Sequence, residues 1–465
     1  MNIFKKSYLL LLVAGLLTAA CSDFLEPSVD QAKETSTAVS TVADLQAVVY
    51  GILDDMNSTA LYGRDLIVAN EVRSDNMWSS SASNRFGAPS QHVYTTQNGN
   101  ASSFWTNSYG AIAIANIAIA AEVGSSATID DLKGQAYALR ALLHFDLVRT
   151  FGQQHAIPGG TANLGVPYVT TYNEPDNFLP ARESVADVYT KVLADLTTAE
   201  GLISTSNTSK TSMSYYAVKA LQSRVNLEVG NYQAAIDAAD VVINSGVYTV
   251  PADQAALVAA WSTDEASNSI FELGYTATNN AGTNSIARIY QNTNYGDVEL
   301  NEETYDLYDQ ANDFRFALVG TNANGTDTQF RLTGKYPDEI NGEDNIRMIR
   351  IEEVILNKAE AQARNGAAGA VIATTLNTLA NNRYTVSPYI GTADLADVLL
   401  ERRLELLGEG HYFATQMRNG DDIVADEDPG GFTTLAYPDF RAAFPIPQSE
   451  MDANSSMDQN EGYNN

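Results

Sequence analysis

Apolar residues that recur every three or four positions restrict the fold of this 465-residue chain more than any other feature. One such run extends from Val42 to Met56, and another extends from Leu132 to Phe151. This spacing places apolar side chains on one face of an α-helix, so that helices can pack against one another. The apolar segment from Ala111 to Val123 is too short to cross a bilayer and indicates a buried helix. The sequence therefore predicts a mainly α fold.

Paired helices form a recurring unit in the second quarter of the chain. Helical periodicity from Tyr216 to Gly230 is followed at once by a second helical run from Tyr232 to Gly246. The unit is about 34 residues long and is similar to a tetratricopeptide repeat. Small residues such as Ala235 and Ala239 allow the two helices to approach closely. A further pair is predicted between Arg350 and Asn382, which gives a scaffold of tetratricopeptide-like helical pairs.

Two regions lack this helical periodicity. Residues 57–104 are rich in Ser, Asn and Gly, while residues 251–345 contain short β-type runs at Ser269–Tyr275 and Gln329–Leu332. Irregular segments of this length are often functional. We therefore expect a loop-rich half that packs against the helical scaffold and carries the functional residues.

The first 21 residues have the layout of an export signal. Two lysines precede the apolar run Leu9–Leu17, and small residues then lead to Cys21, the one cysteine of the chain. This order is typical of a secretory signal peptide and not of a transmembrane helix. The arrangement resembles that of bacterial lipoprotein precursors, with the leucine four positions before the cysteine instead of three. We expect residues 1–20 to be removed, Cys21 to carry lipid, and residues 21–40 to form a tether.

Charge and composition exclude several classes of partner. The formal net charge is −30, so the protein would repel a phosphate backbone, and nucleic-acid binding is disfavoured. The four histidines show no metal-ligand spacing, and a second cysteine for a zinc site is absent. The acidic stretches 338–344 and 421–428 could hold calcium through carboxylate oxygens, but they lack the EF-hand pattern. We predict no cofactor and interpret both stretches as solvated loops.

The sequence contains no common catalytic signature. The patterns HExxH, GxSxG, GxxxxGK[ST] and GxGxxG do not occur in it. A glycosidase needs only two suitably placed carboxylates, which no local pattern reveals. A surface glycosidase therefore remains an alternative to a binding protein.

Three segments carry a family resemblance. They are Tyr137–Gly152, Leu400–Phe413 and Phe444–Asn454 with its continuation to Tyr463. In this order, behind a lipoprotein signal, they resemble the SusD/RagB family of outer-membrane nutrient-binding lipoproteins. The likeness covers nearly the whole mature chain. One departure is that Tyr412–Thr415 stands where the family usually has Arg-Trp and then an Asp.

The resemblance implies an architecture and a function. The architecture is an N-terminal SusD-like helical region at residues 41–250, a C-terminal RagB/SusD region at residues 251–465, and an overall SusD-like fold. The function is that of a lipid-anchored protein exposed on the outer membrane. It would bind an oligosaccharide, or alternatively a peptide, and deliver it without turnover to a SusC-like TonB-dependent transporter.

The family segments are expected to be structural. Glu401, Arg402, Arg403 and Glu405 place opposite charges close together on one helix, with Arg402 and Glu405 three positions apart, which predicts ion pairs along that helix. The motifs that identify the family are therefore not the predicted binding site.

Candidate ligand-binding residues come instead from the two irregular regions. Sugars are bound by aromatic rings that stack on their C–H faces and by polar side chains that hydrogen-bond their hydroxyl groups. For each aromatic residue, packing of its own loop is an equally reasonable interpretation. The candidates are Asp75, Asn76, Trp78, Arg85 and Tyr94 in the first region and Tyr275, Tyr290 and Tyr295 in the second.

Overall fold

The computed structural model describes residues 39–79, 83, 85–152, 163–174, 178–291, 295–324, 327–424 and 434–463. About 51% of the chain is helical, which confirms the prediction of a mainly α fold. The helices of the described residues are α1 (Val42–Met56), α2 (Asp65–Val72), α3 (Gly87–Ser90), α4 (Gly99–Ala120), α5 (Ala127–Phe151), α6 (Val185–Leu202), α7 (Tyr215–Glu228), α8 (Tyr232–Asn244), α9 (Gln254–Trp261), α10 (Ile286–Tyr290), α11 (Glu302–Asp306), α12 (Ile351–Arg364), α13 (Gly369–Ala380), α14 (Leu395–Glu405), α15 (Tyr412–Asn419) and α16 (Gln448–Ala453). The strands are β1 (Met77–Ser79), β2 (Ser269–Leu273), β3 (Val298–Leu300), β4 (Val319–Asn324), β5 (Asp327–Leu332) and β6 (Ile346–Arg350).

Helix α1 shows how the apolar spacing produces packing. Thr41 caps its N-terminus in a reciprocal capping box with Asp44, which satisfies backbone N–H groups that the helix cannot satisfy itself. Leu45, Val49 and Ile52 lie on one face and are fully buried. That face packs against α4 and α5, and α5 also packs along α6. The long stripe predicted between Leu132 and Phe151 is therefore a core helix.

The predicted helix pairs are present. α7 packs against α8, and α12 packs against α13. Gly230 adopts φ +82° in the turn between α7 and α8, a conformation that suits glycine. Ala235 of α8 is fully buried in a cluster with Leu227 and Ala361, where small side chains let α8 approach α12 closely. The division of the chain into an N-terminal region that ends at residue 250 and a C-terminal region that begins at residue 251 remains a prediction.

The two irregular regions contain more regular structure than their sequences indicate. Helices α2 and α3 and strand β1 lie within residues 57–104, and α4 begins at Gly99. The β-type runs at residues 269–275 and 329–332 correspond to β2 and β5. Four strands form one sheet in the order β1-β3-β5-β4, and β2 pairs with β6. The antiparallel β1–β3 pair joins the two irregular regions, because Trp78 lies opposite Glu299.

Buried ion pairs hold the family segment around α14. Glu405 contacts three guanidinium groups: Arg383 at 2.8 Å, Arg350 at 3.1 Å and Arg315 at 3.3 Å. Glu401 lies 2.7 Å from Arg315. These partners come from outside α14, so the predicted pairing along one helix is wrong. A charged side chain can be buried only when it is paired and hydrogen-bonded, and here the partners are supplied by the tertiary fold.

The two arginines of α14 also reach away from their own helix. Arg402 donates to Asn357 at 2.7 Å, whereas Arg403 donates from Nε to Asn76 Oδ1 at 2.8 Å and from Nη2 to Thr304 Oγ1 at 3.0 Å. Arg403 thereby connects the family segment to the start of β1. The segment is structural, as expected, and part of its role is to hold the loop-rich half.

No helix in the described part of the chain is long and apolar enough to cross a membrane. The predicted signal peptide, Cys21 and the tether up to residue 38 lie outside the described residues.

Candidate functional site

The site is built on the outer strand of the four-stranded sheet. Trp78 is the middle residue of β1, is half-buried, and lies opposite Glu299 of β3. Leu300 of β3 pairs with Phe330 of β5, and successive side chains along a strand point to opposite faces of the sheet. Glu299 and Gln329 therefore both point to the face opposite that of Leu300 and Phe330. Gln329 Nε2 accordingly donates to Glu299 Oε1 at 3.0 Å. Trp78 and Glu299 therefore share one face of the sheet.

Arg85, Tyr295 and Asp297 form the second part of the site. The Arg85 guanidinium is paired with the Asp297 carboxylate, and its central carbon lies 4.6 Å from the centroid of the Tyr295 ring. The Tyr295 residue is 39% exposed and the Arg85 side chain is 30% exposed, whereas the Asp297 side chain is only 2% exposed. Arg85 covers one face of the ring by a cation–π contact, and the exposed part of Tyr295 remains available to a ligand.

These two parts belong to one surface. Asp297 directly precedes β3 and lies two residues before Glu299. In an extended chain the side chains of two such residues point to the same side, and their Cα atoms are about 7 Å apart. We define the β1–β3 surface as Trp78, Arg85, Tyr295, Asp297 and Glu299. It combines two partly exposed aromatic rings with a fork-shaped hydrogen-bond donor.

Electrostatics beneath this surface are dominated by burial. Burial raises the pKa of Glu299, and the nearby Arg331 guanidinium acts in the opposite direction. Burial also lowers the pKa of Arg331. Both pKa shifts are in the direction of the neutral side chain. The attraction between Glu299 and Arg331, which lie 3.3 Å apart, therefore does not fully offset the desolvation of the two charges.

Asp75 and Asn76 directly precede β1 and support it. Asn76 is fully buried between Arg403, which donates to its Oδ1, and Glu71, which accepts from its Nδ2 at 3.3 Å. The Asp75 carboxylate accepts from Gln416 Nε2 at 2.7 Å and from a backbone N–H, and burial raises its pKa. Both residues therefore position Trp78, and their own polar groups are already occupied.

Three of the candidate tyrosines pack the loops. Tyr94 is buried with its ring centroid 4.5 Å from that of Phe444. Tyr290 is buried and donates from its hydroxyl to the Gly408 carbonyl at 3.2 Å. Tyr275 is half-buried and donates to the Asn57 carbonyl at 2.9 Å. The structure thus leaves Trp78, Arg85 and Tyr295 as the candidates that can reach a ligand.

Asp297, Glu299 and Gln329 were not among the candidates derived from the sequence. The segment Asp297-Val298-Glu299-Leu300 alternates polar and apolar residues, which is a strand signal. Four residues are too few to distinguish this alternation from chance.

Metal binding at the first acidic stretch finds no support in the described residues, which contain no cluster of three or more acidic, His or Cys side chains suited to a metal ion. The Asp338 carboxylate instead accepts hydrogen bonds from the backbone N–H groups of Asn341 at 2.9 Å and Glu343 at 3.1 Å. Residues 425–428 of the second stretch lie outside the described part.

Two cavities elsewhere are less suited to a sugar. A cavity of about 40 Å³ lies among Tyr62, Arg149 and His411 and is far smaller than an ordinary ligand pocket. A cavity of about 400 Å³ lies beside the C-terminal end of α4, and among the described residues that line it Tyr172 is the one aromatic residue. Neither cavity combines several aromatic rings with an exposed fork donor, as the β1–β3 surface does.

A helical scaffold that presents aromatic rings and hydrogen-bonding groups on a small sheet has the organisation of a carbohydrate-binding protein. Comparison with known families agrees with this class. Residues 23–227 match a SusD-like family described as starch-binding and associating with the outer membrane, and residues 274–463 match the SusD family. The chain belongs to the SusD/RagB family.

Known relatives support the same assignment. SusD-like protein P2 of Formosa agariphila is 29% identical over 254 residues, which are 52% of this chain and 46% of that protein, so the match spans about half of that relative's length. A SusD superfamily protein of Bacteroides vulgatus is 28% identical, with a TM-score of 0.83 over 92% of this chain and 100% of that one. A SusD superfamily protein of Bacteroides thetaiotaomicron is also 28% identical, with a TM-score of 0.82 over 90% and 99%.

Proposed function

We propose that this protein is a lipoprotein anchored through Cys21 to the outer membrane and exposed at the cell surface. It binds an oligosaccharide at the β1–β3 surface and passes it to a partner TonB-dependent transporter. Two observations support the proposal: half-buried Trp78 is paired with Glu299 on one face of the sheet, and the partly exposed Arg85 and Tyr295 contact each other beside Asp297, two residues before Glu299. The outer-membrane association of the family supports the location, and the starch-binding description of the SusD-like family supports a glycan as the ligand.

The same surface argues for binding without hydrolysis. Asp297 and Glu299 are the two carboxylates of this surface, so a glycosidase mechanism here would have to use them. However, their side chains are almost fully buried, and they are paired with Arg85 and Arg331. A glycosidase needs one carboxylic acid and one carboxylate that both reach the substrate. The observed pairing favours a structural role for both groups.

A peptide ligand would make different demands on the site. It could add a strand to the edge of β1 that faces away from β3, where backbone groups would hold it. Ser79 N on that strand already donates to Ser90 Oγ at 3.0 Å, and β1 is only three residues long. The edge therefore offers few groups to a peptide, and the aromatic rings favour a sugar.

The first test is binding without turnover. The lipid-free protein, starting at Ser22, would be screened by affinity electrophoresis against neutral and acidic polysaccharides, and the bound glycan would be titrated by calorimetry. We expect binding to at least one glycan with no shorter products on chromatography. Product formation would contradict the binding-only function, and failure to bind any glycan would contradict the ligand class.

Trp78→Ala tests whether the β1–β3 surface is the site. Loss of a stacked ring of this kind costs about 1–2 kcal/mol, or roughly a fivefold to thirtyfold weaker affinity. The half-buried Trp78 lies on an outer strand, so the melting temperature should change little. Tyr50→Ala is the control, because Tyr50 is an exposed aromatic residue on α1. A large loss of stability in Trp78→Ala, with unchanged affinity, would assign the ring to packing.

Cys21→Ser tests the anchor. Without a thiol the chain cannot be acylated, and we expect it to appear in the soluble fraction after cell lysis while the unaltered protein sediments with membranes. Continued association of the variant with membranes would rule out lipid on Cys21 as the anchor.

A further inference from the structure

We propose that Asp297 makes the β1–β3 surface selective for neutral over acidic glycans. The proposal rests on glycan binding at this surface and adds the class of glycan. An acidic sugar carries a carboxylate or sulfate, which loses water when it binds and needs an uncompensated cation as a partner. The charges at the site therefore decide which class can bind.

Arg85 is the cation of this surface that a ligand can reach. Its side chain is 30% exposed, whereas that of the neighbouring Arg331 is 2% exposed. The Asp297 carboxylate lies directly against the Arg85 guanidinium and is itself almost fully buried. A ligand that approaches Arg85 thus meets the guanidinium together with the Asp297 carboxylate, and the net charge of this pair is zero.

The other charges of the surface are also compensated. Glu299 is 3.3 Å from Arg331 Nη2 and accepts from Gln329 at 3.0 Å. In the sequence, residues 80–82, 84, 292–294 and 325–326, which the structure does not describe, comprise only Ser, Ala, Asn, Thr and Gly, and none of these residues is charged.

Pairing with Asp297 leaves Arg85 suited to hydroxyl groups. A guanidinium has five N–H donors in a fixed fork, and the carboxylate cannot occupy all of them. The remaining donors can bind sugar hydroxyls while the Asp297 charge repels a ligand anion. Asp297 is thus a specificity-determining residue even though the ligand need not touch it.

The test compares three forms of one glycan. The neutral glycan that the protein binds best would be carboxymethylated, and a carboxamidomethyl form of matched substitution would control for size. We expect the carboxymethyl form to bind at least about tenfold more weakly than the carboxamidomethyl form, since like charges in close contact are strongly unfavourable. High salt should reduce this ratio because it screens the charges.

Asp297→Asn should then reduce the ratio to about threefold or less, because Arg85 would lose its compensating charge while the amide oxygen still accepts its hydrogen bond. Asp237→Asn changes the net charge equally at an exposed position of α8 and should leave the ratio unchanged. Equal or tighter binding of the carboxymethyl form by the unaltered protein would overturn the proposal while glycan binding itself stands. An unchanged ratio in Asp297→Asn, with a folded variant, would also overturn it. Failure to bind every neutral and acidic glycan would reject the proposed function and this inference with it.

Discussion

Glu405→Gln should lower the free energy of unfolding by more than the loss of a surface ion pair would, because Glu405 belongs to a buried network of charges. The substitution keeps the shape of the side chain and removes its charge. Glu405 is almost fully buried and lies within 3.3 Å of Arg315, Arg350 and Arg383. Removal of one partner from a buried ion pair costs about 3–5 kcal/mol, and an exposed pair contributes about 0–1 kcal/mol. Because the amide keeps part of the hydrogen bonding, we expect about 3 kcal/mol.

Urea unfolding followed by circular dichroism is the suitable assay. In a chain of this length a given loss of free energy moves the melting temperature by only a few degrees, so the fitted free energy of unfolding is more informative than the midpoint. Asp237→Asn, the same chemical change at an exposed position, should stay within about 0.5 kcal/mol of the unaltered protein. A loss below about 1 kcal/mol in Glu405→Gln would refute the reasoning, since the network would then contribute no more than surface charges do.

The pH dependence gives an independent check of the same network. Burial alone would raise the pKa of Glu405, but Arg383, Arg350 and Arg315 outweigh burial and hold that pKa well below its usual range. A group with a depressed pKa contributes stability that is present above the unfolded-state pKa and is lost as the pH falls toward the folded-state value. The difference between the unaltered protein and Glu405→Gln should therefore be largest at neutral pH and shrink in acid.

Two further predictions concern the loop-rich half and the buried histidines. Arg403→Gln removes hydrogen bonds to Asn76 and the neighbouring backbone, each worth about 1.5–3 kcal/mol. Because β1 should then lose its support, we expect calorimetry to show a glycan affinity at least about tenfold lower. Unchanged affinity would show that strand pairing alone holds β1. Burial lowers the pKa of His92, His144 and His411 to about 3. Near pH 6.5 these histidines then take up protons only in the unfolded chain. The free energy of unfolding should therefore fall by about 1 kcal/mol per histidine between pH 7 and 5.5. An unfolding free energy that stays constant over that range in urea titrations would contradict the burial of these histidines.

The helical scaffold could be predicted from the sequence because its signals are local. The spacing of Leu45, Val49 and Ile52 identifies a helix face without knowledge of any other segment. The helix pairs were found in the same way, from two adjacent periodic runs and the glycine between them. Each of these elements is longer than two helical turns, so the periodicity can be distinguished from chance.

The partners of charged residues could not be predicted in this way. Arg402 and Glu405 have the spacing of a helix surface pair, three positions apart, yet their partners lie outside that helix. Arg140 likewise pairs with Asp195, 55 residues away, and not with Asp146 on its own helix. Sequence spacing shows which charges can meet along a helix, whereas burial decides which charges must find a partner, and burial depends on the tertiary fold.

The candidate site was predicted in part. Composition pointed to two regions that include Trp78, Arg85 and Tyr295, which are partly exposed in the structure. It could not separate these from Tyr94 and Tyr290, because a loop needs aromatic residues for its own packing as much as a ligand site does. Contacts of the sugar with these residues remain a prediction.

The pairing of β1 with β3 brings together parts of the chain that are more than 200 positions apart. A newly made polypeptide therefore has no recognition surface until both parts have emerged and folded against each other, since neither three-residue strand is stable alone. Partly folded molecules therefore lack the assembled β1–β3 surface. The presence of this surface would thus report that the two distant parts of the chain have both folded.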